Sequence, residues 1–204
     1  RHFGDGYEVR APQVHMARLV QRSIEMGAPA VIEAGTGTGK SFAYAAIAMA
    51  MNKTLVISTS NKNLQMELIG KDLPFLAKLF PGKTYAIAQG KGNYACRVKA
   101  EVLGDVAIAD PALREWYLTT ETGNTEEITF AADRKDIAGL TADDECTGKH
   151  CLHYHDCFYY RARAAMREAD VVVTNHKLLC IDQVAEGNIL PPADVTVIDE
   201  AHKL

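Results

Sequence analysis

Nowhere in this chain of 204 residues do apolar side chains run long enough to cross a bilayer. The longest uncharged stretch, Ser41 to Asn52, is rich in Ala and Met and falls well short of the roughly 20 residues that a spanning helix needs. A transmembrane helix is excluded, and no membrane partner is expected. Positive charge is not in excess either: 22 Lys and Arg stand against 26 Asp and Glu, a net charge of -4, so the overall balance gives no argument for nucleic-acid binding. Cysteine is scarce, with five residues, and a chain this long can bury about 70% of its unfolded surface without disulfides. Internal repeats and low-complexity tracts are absent. So are an initiating Met and a secretory leader; the sequence opens on Arg1 and stops at Leu204 directly after an acidic motif, so it is expected to be a piece of a longer protein. With 48% hydrophobic and 24% charged residues, the composition is that of a soluble globular protein rather than a disordered, collagen-like or coiled-coil one.

The charge is unevenly placed. Outside residues 91 to 168 there are 12 basic and 12 acidic side chains, and inside that segment 10 and 14, so the whole imbalance sits there. Its two ends are basic, with Lys91, Arg97 and Lys99 on one side and Arg161, Arg163 and Arg167 on the other. Residues 100 to 157 hold only 4 basic against 13 acidic, and this acidic middle is expected to face away from the basic ends.

Val14, Met16, Ala17, Leu19, Val20 and Ile24 approach helical spacing over residues 11 to 26, and Gly27 followed by Pro29 ends that element. Strand-length apolar runs follow at Ala30 to Ile32, Thr54 to Ile57, Tyr85 to Ala88, Val171 to Thr174 and Val195 to Ile198. They do not alternate with polar residues, which marks strands buried on both faces. Helix-like stretches at Lys40 to Met51 and Asn61 to Phe80, the latter broken at Pro74, separate the first three. The pattern predicts an α/β fold with a parallel sheet and right-handed crossovers. Between the third and fourth runs about 80 residues intervene where such a connection needs roughly 2 to 6, which predicts an inserted subdomain. The expected boundaries are 1–90, the insertion 91–168, and a return over 169–204. Within the insertion, Asp110 as cap and Pro111 at the first position predict a helix.

Ala34, Gly35, Thr36, Gly37, Thr38, Gly39, Lys40 and Ser41 follow the first expected strand and open a helix, the context of a phosphate-binding loop. Glycines let the backbone wrap so that successive amides point at phosphate oxygens, and the helix amino end adds its dipole. Lys40 would hold the outer phosphates and Ser41 would ligate Mg²⁺. The usual first glycine is Ala34 here, a mild departure. The last strand run ends in Asp199, Glu200, Ala201 and His202. An acidic pair at the carboxyl end of a parallel strand lies where open α/β sheets bind ligands. Asp199 would hold Mg²⁺, and Glu200 would take the proton of an attacking water.

Cys146, Cys151 and Cys157 lie close together, and Cys96 stands 49 intervening residues upstream at the other stem of the insertion. Four thiolates suit either an iron-sulfur cluster or zinc, although the paired short knuckles of structural zinc sites are missing. His150, His153 and His155 could replace a cysteine as zinc ligands. Cys180, in an apolar context, reads as a small buried hydrophobe.

Together these residues resemble a known family. The phosphate loop and the Asp199 to His202 motif resemble superfamily 2 helicases of the DEAH type. Tyr7 to Gln13, with Arg10 and Gln13, resembles that family's adenine-recognising segment, and Ser58, Thr59 and Ser60 with Asn63, Leu64 and Gln65 resemble its element contacting the nucleic-acid backbone. The cysteine quartet followed by Tyr160, Arg163 and Ala169 to His176 narrows the resemblance to iron-sulfur DNA helicases of the XPD and DinG group, particularly bacterial DinG-like enzymes. It implies a RecA-like first motor domain carrying an inserted [4Fe-4S] subdomain, with ATP and Mg²⁺ as cofactors. It further implies Cys96, Cys146, Cys151 and Cys157 as cluster ligands and 5′ to 3′ unwinding in DNA repair or replication. Single-stranded DNA and duplex junctions would be the partners, and the bacterial cytosol or nucleoid the location. Thr59, Gln65, Tyr94, Arg97, Arg161 and Arg163 are the candidate nucleic-acid contacts. Lacking a second motor domain and its arginine, this stretch alone is expected to be nearly inactive. Two alternatives stay open: a P-loop kinase or transferase, and a zinc-stabilised nucleic-acid-binding module with a structural P-loop.

Overall fold

Four short apolar runs assemble into one parallel sheet. In the computed structural model, which describes residues 10–35, 37–60, 62–103, 108 and 110–204, strands β1 (Leu55–Thr59), β2 (Tyr85–Ile87), β3 (Val171–Asn175) and β4 (Val195–Ile198) lie in the order β2-β3-β1-β4. Leu55 sits opposite Val171 on one side and Val195 on the other, and Tyr85 opposite Val171, so the strands start level. The central β1 is buried along its length, as its unbroken apolar run demands. The helices are α1 (Ala11–Met26), α2 (Lys40–Ala50), α3 (Lys62–Glu67), α4 (Leu73–Leu79), α5 (Arg97–Leu103), α6 (Pro111–Thr119), α7 (Arg134–Leu140), α8 (Phe158–Glu168) and α9 (His176–Val184). Gly27 ends α1 in the left-handed conformation, returning amide hydrogen bonds to the last turn. Asp110 caps α6 by accepting from the amides of Ala112 and Leu113.

The chain divides into two compact units, one formed by the chain up to Ile87 together with Ala169–Leu204, the other by Ala88–Glu168. The first is built around Tyr44, Leu55, Ile57, Leu73, Leu76, Val171 and Val173. The second has its own core of Tyr94, Ala95, Leu113, Leu140 and Phe158. There Gly123, at φ 63°, passes so close to Phe158 that a Cβ would stand 2.3 Å from the ring, a position open to glycine alone.

Two expectations need correction. Ala30 to Ile32 is not a strand: the segment is extended, with Ile32 and Ala34 packed on the first core and Val31 fully exposed, but it makes no ladder. An apolar run becomes a strand only where a neighbouring edge offers hydrogen bonds, and among the described residues none pairs with it. Nor does Pro74 break the 61–80 helix. The irregularity comes earlier, as a π turn over Leu68–Asp72, and Pro74 sits harmlessly in the first turn of α4.

The strand starts share a clamp. Asp170 Oδ2 accepts from the amide (2.9 Å) and hydroxyl (3.0 Å) of Thr84, while Lys83 Nζ lies 2.7 Å from Asp170 Oδ1. Asp194 Oδ2 accepts in the same way from Thr54, at 2.9 and 3.1 Å, with Lys53 Nζ at 3.6 Å from Oδ1. Burial works against the charge on Asp170, but Lys83 and Thr84 outweigh it and hold the carboxyl below its usual range. A Lys-Thr pair before β1 and β2 thus meets an Ala-Asp pair before β4 and β3.

Candidate nucleotide site and cysteine pocket

At the opposite ends of the strands, the residues expected to form a phosphate site come together. Gly37 and Gly39 adopt φ values of 74° and 75°, and Gly39 is the residue that opens α2. A side chain at Gly39 would also collide with Gln13, whose Nε2 would lie 2.3 Å from the added Cβ. Thr36 lies outside the described residues, as do Tyr7, Glu8 and Val9 of the adenine-segment expectation. Arg10 Nη1 donates to Gly37 O at 3.0 Å and Gln13 Nε2 to Gly39 O at 3.2 Å, so both residues brace the loop through its carbonyls. Thr38 Oγ1 donates to Gly35 O within the loop.

Lys40, the first residue of α2, reaches back to Ala34 O at 3.3 Å and to Glu200 Oε1 at 2.9 Å. That contact joins the loop to the end of β4. Asp199 extends the ladder, its amide donating to Ser58 O at 2.8 Å. Glu200 follows in the left-handed region at φ 57°, a strained conformation for a residue with a side chain. The hydrogen bond and charge of Lys40 hold the Glu200 carboxyl below its usual range. Tyr44, one helical turn beyond Lys40, donates to Asp199 Oδ2 at 3.2 Å. Burial, with the charges of Asp199 and Asp72 adding, pushes the Tyr44 phenol well up, so it remains a donor. Ser41 Oγ donates to Asp72 Oδ2 at 2.8 Å. Neither Tyr44 nor Asp72 was among the expected site residues. Tyr44 could have been found, since it lies three and four positions after Ser41 and Lys40 on one helix face; Asp72 depends on the π turn, which has no sequence signature.

The candidate nucleic-acid residues divide. Thr59 and Gln65 are fully buried and Tyr94 nearly so: Thr59 ends the central strand, Gln65 is enclosed where α3 packs on β1 and β3, and Tyr94 is in the second core. Arg97 is engaged with Asp156, at 3.0 Å from Oδ2, and stacks 4.3 Å from the Phe158 ring centroid. Arg161 is exposed on α8, and Arg163 on the same helix lies over Tyr159, 6.0 Å from its centroid. The acidic middle does not face away. Asp144 pairs with Lys91 at 3.2 Å and Asp143 with Lys99, neutralising the first basic stem.

Cys96, Cys146, Cys151 and Cys157, each half-buried, line one small cavity in the second unit that is partly open to solvent. Cys96 and Cys157 sit immediately before α5 and α8, with Ala100 and Arg161 amides donating to their carbonyls. The cysteine loops between them are folded back by Cys146 N to Asp143 O and Cys151 N to Gly148 O bonds. Burial, with the nearby Cys146 and Cys96 adding to it, pushes the Cys157 thiol up. His153 also lines the cavity, but its ring is held by Glu101 at 3.0 Å and Asp156 at 3.4 Å; His150 and His155 are exposed. Among the described residues, no three His, Cys, Asp or Glu side chains converge on a point that could hold a single metal ion. Cys180 is exposed on α9, not buried as expected.

Residues 119–204, from the acidic stretch through the Asp199 to His202 motif, match the DEAD_2 family model. Across 98% of its length the chain is 38% identical to the ATP-dependent DNA helicase YoaA of Escherichia coli K12, and across 96% it is 36% identical to the ATP-dependent helicase DinG of Mycobacterium tuberculosis H37Rv. The chain belongs to the DinG family. Another relative, 33% identical over 97% of the chain, is the 3′-5′ exonuclease DinG of Bacillus subtilis 168. This DinG-family chain spans 34%, 34% and 23% of those three relatives, about a third of their length or less. Among its described residues no helix is long and apolar enough to cross a membrane.

Proposed function

We propose that this chain is the nucleotide-binding part of an ATP-dependent DNA helicase acting in the cytosol. The observation that carries the reading is the 2.9 Å contact between Lys40 and Glu200, which brings the phosphate-loop cation and the carboxylate after β4 to one point. In this arrangement the phosphates of ATP would replace Glu200 as the partner of Lys40, with the amides of the loop and of the start of α2 around them. Glu200, released, accepts the proton of a water aimed at the outer phosphate. Ser41 and Asp199 are the residues suited to Mg²⁺, which would supply charge neutralisation on the phosphate oxygens. Arg10 and Gln13 already touch the loop and can pass to the nucleotide base and phosphates from there. Lys40→Ala is expected to weaken ATP binding at least tenfold with the fold retained, because it removes a charge-assisted contact and no core group. Isothermal titration with Mg-ATP checks this, and equal affinity of variant and wild type would reject the site.

The second unit is proposed to hold a [4Fe-4S] cluster. In such a cluster each thiolate binds its own iron, so the ligands surround a cavity rather than converge on a point, and Cys96, Cys146, Cys151 and Cys157 do surround one. The cluster would tie the stem at Cys96 to the stem at Cys157. For single-stranded DNA, the exposed end of α8 remains the best candidate: Arg161 and Arg163 supply charge, and Tyr160 and Tyr154, with ring centroids 4.5 Å apart, supply faces for base stacking. Reversing both arginines to Glu is expected to abolish salt-sensitive binding of a single-stranded oligonucleotide while the iron content stays unchanged. Fluorescence anisotropy at low and high salt measures it; undiminished binding would place the strand on another surface.

A further inference from the structure

Asp72 stands in a place that needs explaining. Leu68, Leu73 and Leu76 are all buried, yet Leu68 and Leu73 are five residues apart, a spacing that in an α-helix carries the second side chain about 140° round from the first. The π turn removes the conflict: the amide of Leu73 donates to Leu68 O, and the widened turn keeps both leucines inward. Its last residue is Asp72, which thereby reaches the second residue of α2 and accepts from Ser41 Oγ at 2.8 Å. Asp199 is held separately, by the Tyr44 hydroxyl at 3.2 Å. Carboxylates from two different elements therefore meet α2 one turn apart, at Ser41 and Tyr44.

A hydroxyl that binds a cation through its oxygen keeps its hydrogen, and that hydrogen needs an acceptor on the far side from the metal. We propose that Asp72 is the positioning residue for metal-dependent nucleotide binding: it takes the Ser41 hydrogen and so turns the Ser41 lone pairs toward the cation. This rests on the phosphate-loop reading above. Asp72 itself touches neither nucleotide nor metal in this scheme; it acts through Ser41.

The test measures ATP affinity of the full chain by calorimetry over a series of Mg²⁺ concentrations and again in EDTA. Loss of an outer-shell partner lowers metal affinity by about 10- to 100-fold, so Asp72→Ala is expected to raise the Mg²⁺ concentration for half-maximal tightening by that factor, with the affinity in EDTA unchanged. Asp72→Asn, whose amide oxygen is a weaker acceptor, is expected to shift it in the same direction by several-fold, and it carries the test if the Ala variant does not fold. In a Ser41→Ala background, Asp72→Ala is expected to add nothing. An unchanged Mg²⁺ dependence in Asp72→Ala or Asp72→Asn overturns the proposal, as does a full Asp72→Ala effect in the Ser41→Ala background. If Lys40→Ala also binds ATP as wild type does, the phosphate-loop reading has failed and takes this proposal with it; if only the Asp72 variants match wild type, that reading stands without it.

Discussion

Glu200→Gln is expected to slow ATP hydrolysis by about 10²- to 10⁴-fold while ATP binds as tightly as before or several-fold more tightly. The two effects have one structural cause. Glu200 is the partner of Lys40 in this structure, and the pair is partly exposed, at 23% and 25% side-chain exposure. Partly exposed pairs of this kind are weak, so breaking this one costs ATP little and removing it gains only a modest factor. Glutamine keeps the shape but cannot neutralise Lys40, leaving the ammonium free for phosphate. It also cannot accept the proton of the attacking water, and the chemical step loses its base. Measuring ATP turnover of the full-length protein with single-stranded DNA present, alongside an equilibrium ATP titration, separates the terms. Turnover unchanged in Glu200→Gln would show that another group activates water. Weakened ATP binding would show that the Lys40 contact is not one that nucleotide must displace.

The other large effect concerns iron. Serine at Cys96, Cys146, Cys151 or Cys157 is expected to remove most of the iron and acid-labile sulfide from protein purified without oxygen, whereas Cys180→Ser is expected to leave both unchanged. The first four share a cavity in the second unit, while Cys180 is exposed on a helix of the first. A serine hydroxyl is a harder and more basic donor than a thiolate and holds iron-sulfur centres poorly. Because the cluster would bridge the segment before α5 and the segment before α8, its loss is also expected to make residues 91–168 more sensitive to limited proteolysis. Zinc in place of iron, with sulfide absent, would reject the cluster and leave the quartet as a zinc site. Iron retained in all four variants would reject the ligand set.

How far the sequence alone carried these conclusions depended on the range of the interactions. Helix α1 was legible because its apolar spacing and the Gly27 and Pro29 stop are local, and β1, β3 and β4 because an unbroken apolar run has few other uses. The Ala30 to Ile32 run has the same local character, but a strand also needs an edge to join, and no local pattern carries that. Lys40, Ser41, Asp199 and Glu200 were visible as motifs, since the chemistry of phosphate binding leaves few choices of residue. Asp72 was not, because its contact with Ser41 depends on a turn widened by one residue, which follows from burying Leu68 and Leu73 together. The burial of Thr59 and Gln65 was not legible for the opposite reason: polar residues at and after a strand end read as surface, yet this strand is an inner one and its end is enclosed. The surroundings of Tyr94 and Arg97 were hidden similarly, since aromatic and basic residues close in sequence suggest a binding track and carry no sign that Tyr94 packs in the second core or that Arg97 pairs with Asp156.

The Asp170 and Asp194 clamps bear on how the sheet can move. Both close the amino ends of the strands, Asp170 fastening β3 to β2 and Asp194 fastening β4 to β1, and the Leu55 amide to Asp170 O bond at 2.8 Å links the two pairs. The other ends are held differently: Ser58 Oγ lies 2.7 Å from His176 Nδ1, tying the end of β1 to the residue after β3, while Asp199 and Glu200 beyond β4 are held by Tyr44 and Lys40 of α2. The sheet is thus clamped by carboxylates between neighbouring strands at its amino ends, whereas the residues that follow β4 are tied by their side chains to a helix. A push delivered where Lys40 meets Glu200 therefore bears first on the α2 contacts of Glu200 and Asp199, while the Asp170 and Asp194 clamps resist a shift of register at the far ends of the strands.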